Sequence, residues 1–117
     1  MSGKFLKSTR INTLREISMV EDPVKLDPKH YKVEFENEKV RVLRVSYGAN
    51  EKSIMHGHPN AVAVFLADAQ AKFTYPDGKT EDIEMKAGQA VWFPPVDHLP
   101  ENTSNKPIHL IFVELKK

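Results

Sequence analysis

Residues 30–47 read HYKVEFENEKVRVLRVSY, and the spacing of their apolar side chains decides the fold class. Tyr31, Val33 and Phe35 alternate with Lys32, Glu34 and Glu36, the period of a strand with one buried face. Asn37-Glu38 turns the chain. Val40, Val42, Leu43, Val45 and Tyr47 then place apolar groups on both faces, as in a strand held between two layers or inside an oligomer.

The same rhythm continues toward the C-terminus. Ile54–His58 and Ala61–Ala67 read as the next two strands. Phe73-Thr74-Tyr75 and the pair Ile83 and Met85 flank Pro76-Asp77-Gly78, where Pro presets the turn and Gly supplies a positive φ. Ala87-Gly88 turns into Val91-Trp92-Phe93, which Pro94-Pro95 stops, and Ile108–Leu115 closes the set. Roughly eight or nine short strands with turns every ~8–12 residues predict a sandwich or barrel. The fold class is all-β, a double-sheet barrel.

Toward the N-terminus the composition changes near Pro23–Pro28. Residues 1–27 are therefore taken as a short N-terminal extension and 28–117 as the barrel. Ile11, Leu14 and Ile17 fit one face of a short helix that needs the barrel, or a neighbouring subunit, behind it.

A chain of 117 residues fits one domain. With 40% hydrophobic and 28% charged residues and a net charge of +1, it has the balance of a globular protein, and nothing in it attracts nucleic acid in bulk. No apolar run approaches the ~18 residues of a membrane span, and Met1–Ile17 lacks the apolar core of a secretory signal. Cysteine is absent, which excludes disulfides, thiolate zinc sites and a thiol nucleophile. The expected compartment is the cytoplasm.

Any metal must then rest on His and carboxylates. His56 and His58 lie two apart on an expected strand and so share a face. A third histidine, His98, closes the segment Gly88-Gln89-Ala90-Val91-Trp92-Phe93-Pro94-Pro95-Val96-Asp97-His98, and Asn102 follows it. Asn50–Ala67 resembles the first motif of the cupins, G-x5-H-x-H-x3–4-E, and Gly88–Asn102 resembles their second, G-x5-P-x-G-x2-H-x3-N. The resemblance implies a double-stranded β-helix, a jelly-roll barrel, with a metal site built on the two motifs. Departures are plain. Asn50 replaces the first Gly, Val96 stands where a Gly is expected, and the second motif is one residue short before His98. The acidic ligand is missing, since skipping three or four residues after His58 reaches Val62 or Ala63.

That loss argues against the three-His-plus-Glu site of oxalate decarboxylases and germins. The remaining set resembles the three-His site of thiol and diketone dioxygenases. Three neutral imidazoles leave a divalent ion with its full +2 charge and open positions, which favours an anionic chelating substrate. The resemblance thus implies one divalent transition metal on His56, His58 and His98, with Fe(II) favoured and Ni, Zn, Cu or Mn compatible. It implies a dioxygenase-like oxidoreductase for a small substrate. A metal-assisted lyase or isomerase is the second reading and a non-enzymatic ligand-binding module the third.

Other residues are assigned on strand parity. Val62, Val64 and Leu66 are expected to face the interior with Ile54, the two valines as pocket wall. Trp92 is taken as a further substrate contact, although either it or Phe93 could be the inward residue. Glu101 either serves as a catalytic base orienting water or is a solvated loop carboxylate. Asn102 either orients a ligand or caps a turn. His30 and Arg44 are expected outside and His109 inside. Met55, Phe65 and Tyr47 are expected on the face opposite the ligands, where two-fold pairing would cover them. Together with the apolar residues of Ile11–Val20, this predicts a homodimer.

Overall fold

A computed structural model describes residues 21–116. The expected helical face at Ile11, Leu14 and Ile17 lies outside them. A single-turn helix, α1 (Pro23–Leu26), is capped by Asp22, whose carboxylate accepts from the Val24 N–H at 3.0 Å. Nine strands follow in the described residues: β1 (Tyr31–Glu36), β2 (Val40–Tyr47), β3 (His56–His58), β4 (Ala61–Phe65), β5 (Ala69–Thr74), β6 (Thr80–Met85), β7 (Ala90–Phe93), β8 (Val96–Asn102) and β9 (Ile108–Leu115).

They form two antiparallel sheets, ordered β1-β2-β9-β4-β7 and β3-β8-β5-β6, the two layers of a double-stranded β-helix. The turns behave as their residues demand. Gly78 and Gly88 sit at φ 87° and 89°, and Asn50 holds φ 61° where the motif would have glycine. No helix among the described residues is long and apolar enough to cross a membrane.

The core lies between the sheets. Leu43, Phe112 and Ala63 stand side by side across β2, β9 and β4, all buried. Tyr31, Val45, Tyr47, Phe65 and Ile108 join them. Tyr47 and Phe65 are thus interior residues, which corrects their expected outward placement. The opposite face carries a different row, Phe35, Val42, Val113, Val62 and Trp92, in register across all five strands of the larger sheet, with Phe35 and Trp92 exposed at its ends and Val42 buried.

That row also corrects the parity of β4. Ala61, Ala63 and Phe65 face inward, whereas Leu66 and Ile54 are about half exposed. Even-numbered counting from His58 fails because β3 and β4 belong to different sheets. The crossover at Pro59-Asn60 resets which face each residue presents.

Candidate metal centre

β3 and β8 bring the histidines together. His56 pairs directly with His98 across the ladder, and His58 is two residues further along β3. The three rings are buried, with centroids 4.7 Å (His56–His58), 5.0 Å (His56–His98) and 5.1 Å (His58–His98) apart and nearly perpendicular planes. One nitrogen from each lies within 4.8 Å of the others.

Protein groups dictate which nitrogens remain free. The His56 Nδ1–H donates to the Ile54 carbonyl at 2.8 Å, with Ser53 Oγ at 3.2 Å, and Nε2 has no partner. His58 Nδ1 donates to Glu114 Oε2 at 3.2 Å. Both nitrogens of His98 are without a hydrogen bond. Burial, followed by the neighbouring His58, pushes His56 down to about 3; burial and then His58 and His56 push His98 down to about 2. Neutral imidazoles with bare, converging nitrogens are what a divalent transition metal requires, so this donor set fits one.

Behind His58 stands Glu114, 3% exposed. Its Oε1 accepts from Arg41 Nε at 2.9 Å, and Arg41 in turn bonds both oxygens of Asp22 at 2.8 Å. This carboxylate fixes the His58 tautomer. The period of β9 places Glu114 on one face with Ile108, Leu110 and Phe112, a signal the sequence carries but that its charge obscures. His109 is accordingly exposed and bonded to Ser46 Oγ at 3.1 Å, the reverse of its expected placement. Glu114→Gln should weaken metal binding by roughly 10–100-fold with the fold retained. Chelator competition would check this, and unchanged affinity would show that His58 does not depend on Glu114.

A second buried group supports His56. His30, expected outside, is 6% exposed, stacked on Tyr47 at 4.3 Å and held between Asp27 Oδ2 (2.7 Å) and Glu51 Oε1 (3.0 Å). The Ser53 hydroxyl donates to the same Asp27 oxygen at 2.6 Å. Lys29, the Gly48 N–H and His30 pull Glu51 down to about 2. Arg44 lies outside as expected, paired with Glu34 at 2.7 Å.

Beside the histidines is a cavity of about 60 Å³ walled largely by aromatic and aliphatic side chains, with His58 and His98 in its lining. Tyr31 and Tyr47 also line it, their hydroxyls 2.6 Å apart. Burial, then the proximity of Tyr47, raises Tyr31 well above the ordinary phenol range. Glu101 is on the wall, on strand β8 rather than a loop, with Lys72 Nζ at 3.9 Å.

Asn102 also borders the cavity, but its amide is spent on a turn: Nδ2 donates to Gly48 O at 3.0 Å and Lys106 O at 2.7 Å, while Oδ1 accepts from Ser104 N at 2.9 Å. Val62, Val64 and Trp92 do not line the cavity; Trp92 is 54% exposed, and Phe93 and Phe65 occupy the wall instead. The missing motif acid corresponds in orientation to Ala63, which is fully buried, not to Val62.

Comparison with known proteins agrees with this fold. No curated protein matches the sequence. Among solved structures, a cupin domain from Bordetella pertussis Tohama I superposes with a TM-score of 0.70 at 21% identity, covering 74% of this chain and 92% of that one. An RmlC-like cupin family protein with a double-stranded β-helix fold, from Methanocaldococcus jannaschii, gives 0.58 at 20% identity over 86% and 92% of the two chains. A protein from Bacillus halodurans gives 0.60 at 16% identity over 75% and 70%. At these identities the likeness is one of fold. The family model for the cupin domain matches residues 43–114, a span that holds all three histidines and Glu114. The chain belongs to the cupin domain family.

Proposed function

We propose that this cupin is a metal-dependent, dioxygenase-like oxidoreductase acting on a small chelating anionic substrate, with His56, His58 and His98 as ligands of one divalent transition metal, Fe(II) before Ni, Zn, Cu or Mn. The observation that carries this is the donor set: three imidazoles and no carboxylate. Glu114, the acid bonded to a ligand ring, is turned to His58 Nδ1 and Arg41. When bound, the ion would supply a Lewis-acid centre of full +2 charge with positions open to substrate and O2.

The chain's own residues do the rest. Glu114 and the Ile54 carbonyl hold two of the rings by Nδ1, leaving Nε2 as the donor. Phe73, Phe93 and Phe112 wall the cavity against water. The neutral Tyr31 and Tyr47 hydroxyls offer hydrogen bonds to a polar head, and Glu101, the carboxylate of the lining, is assigned the uptake of a proton. A dioxygenase puts both atoms of O2 into product and draws all four electrons from the substrate, so no separate reductant is needed.

The test begins with metal analysis of protein purified without a His tag. Protein loaded with Fe(II) under argon is then given small hydroxy acids, enolisable dicarbonyls and thiols, and O2 is admitted. Oxygen consumed in step with loss of one probe is the expected result. Conversion without O2 would favour the lyase or isomerase reading, and failure to hold stoichiometric metal would favour a non-enzymatic binder.

A further inference from the structure

The cavity is unequal in its polarity, and this bears on what enters it. Its metal end carries His58 and His98, while the body of the wall is Val45, Phe65, Phe73, Phe93, Leu110 and similar side chains. No Lys or Arg is among the described residues that line it. The polar groups away from the histidines are the paired tyrosine hydroxyls, the Asn102 amide already engaged by backbone, and Glu101 near Lys72. A cation in the lining is what a second carboxylate or a phosphate would need, since an unpaired charge against apolar wall is strongly disfavoured. The space is also small. At ~10–15 Å³ per water, it takes about four to six water-sized groups.

We infer that the ligand of this site carries one anionic chelating head, directed at the histidine end, and a short apolar body with no second negative charge, lying against Phe65, Phe73 and Phe93. Dicarboxylates and phosphorylated compounds are thereby disfavoured, because their second negative charge finds no cation in the described lining. This rests on the metal-centre reading, because the ion is the counter-charge for the head. The side chains that select the body are separate from those that hold the ion.

Two probes share one α-hydroxycarboxylate head and differ in the body alone. 2-Hydroxybutanoate ends in an ethyl group and malate in a carboxymethyl anion. The full-length chain is loaded with Fe(II) or Ni(II), its metal content measured, and each probe titrated anaerobically by calorimetry. Each affinity is divided by that of the same probe for the free ion in water.

After this correction, 2-hydroxybutanoate should be favoured over malate by at least about tenfold, the order expected when an unpaired negative charge is set against apolar wall. Equal corrected affinities, or preference for malate, would overturn the inference while leaving the metal centre standing. Protein that takes up no metal would overturn both. As a second measurement, Ile83→Lys puts a cation on a half-buried wall position from which the long side chain can still reach water, and should shift the ratio toward malate. An unchanged ratio in a folded, metal-loaded variant would show that the body does not reach that wall.

Discussion

His98→Ala should reduce bound metal to a small fraction of the wild-type level, with the barrel still folded. Of the three rings, His98 makes no hydrogen bond to the protein through either nitrogen, so its removal strands no buried partner. Its ring packs edge-on to Phe73 at 4.4 Å, and that contact is what the fold loses. The metal loses one donor in three. Disturbing groups behind a ligand already costs roughly 10–100-fold in affinity, so losing the ligand itself should exceed about 100-fold. Metal analysis after gel filtration, beside a far-ultraviolet circular dichroism spectrum, gives both readouts. Full occupancy in a folded variant would remove His98 from the ligand set.

Phe112→Ala should produce the larger loss of stability, about 3–5 kcal/mol. The ring is 4% exposed on β9, 4.4 Å from the ring of His58 and 5.5 Å from that of Phe93. Leu43 and Ala63 flank it on the neighbouring strands. Neither is large enough to refill the space, so a cavity remains where all three strands meet. A domain of this size would melt more than about 10 °C lower. Thermal denaturation followed at two wavelengths would measure it. A loss below about 1 kcal/mol would mean the ring is not a keystone of the sheet.

The fold was legible because period-two alternation survives wherever one sheet face is buried, as in Tyr31 to Phe35 and in β9. The histidines were legible because motif spacing preserves them. What escaped has identifiable causes. Strand β8 contains Pro100, Asp97, Glu101 and Asn102, all poor strand formers, and is held as a strand by pairing with β3 and β5, which no local window displays. Val62 and Val64 were assigned inward because counting from His58 ignores the change of sheet at Pro59. Glu114 and His30 escaped because burial of a charged or titratable group depends on partners distant in sequence, here Arg41 and Glu51.

The position of β9 also sets when the protein can come into being during its own synthesis. Although the last strand of the barrel, it runs through the middle of the larger sheet, matched with β2 at eight positions and with β4 at five. Until Leu115 has cleared the ribosome, the hairpin of β1 and β2 and the pair of β4 and β7 have no common neighbour. At ~5–20 residues per second, the nascent chain waits roughly 4–17 s between Tyr31 and Leu115 with these apolar edges uncovered. Glu114, which orients His58, arrives in the same final stretch. Metal capture would therefore be a late step, following the docking of β9, and the interval before it is when a chaperone would be most useful.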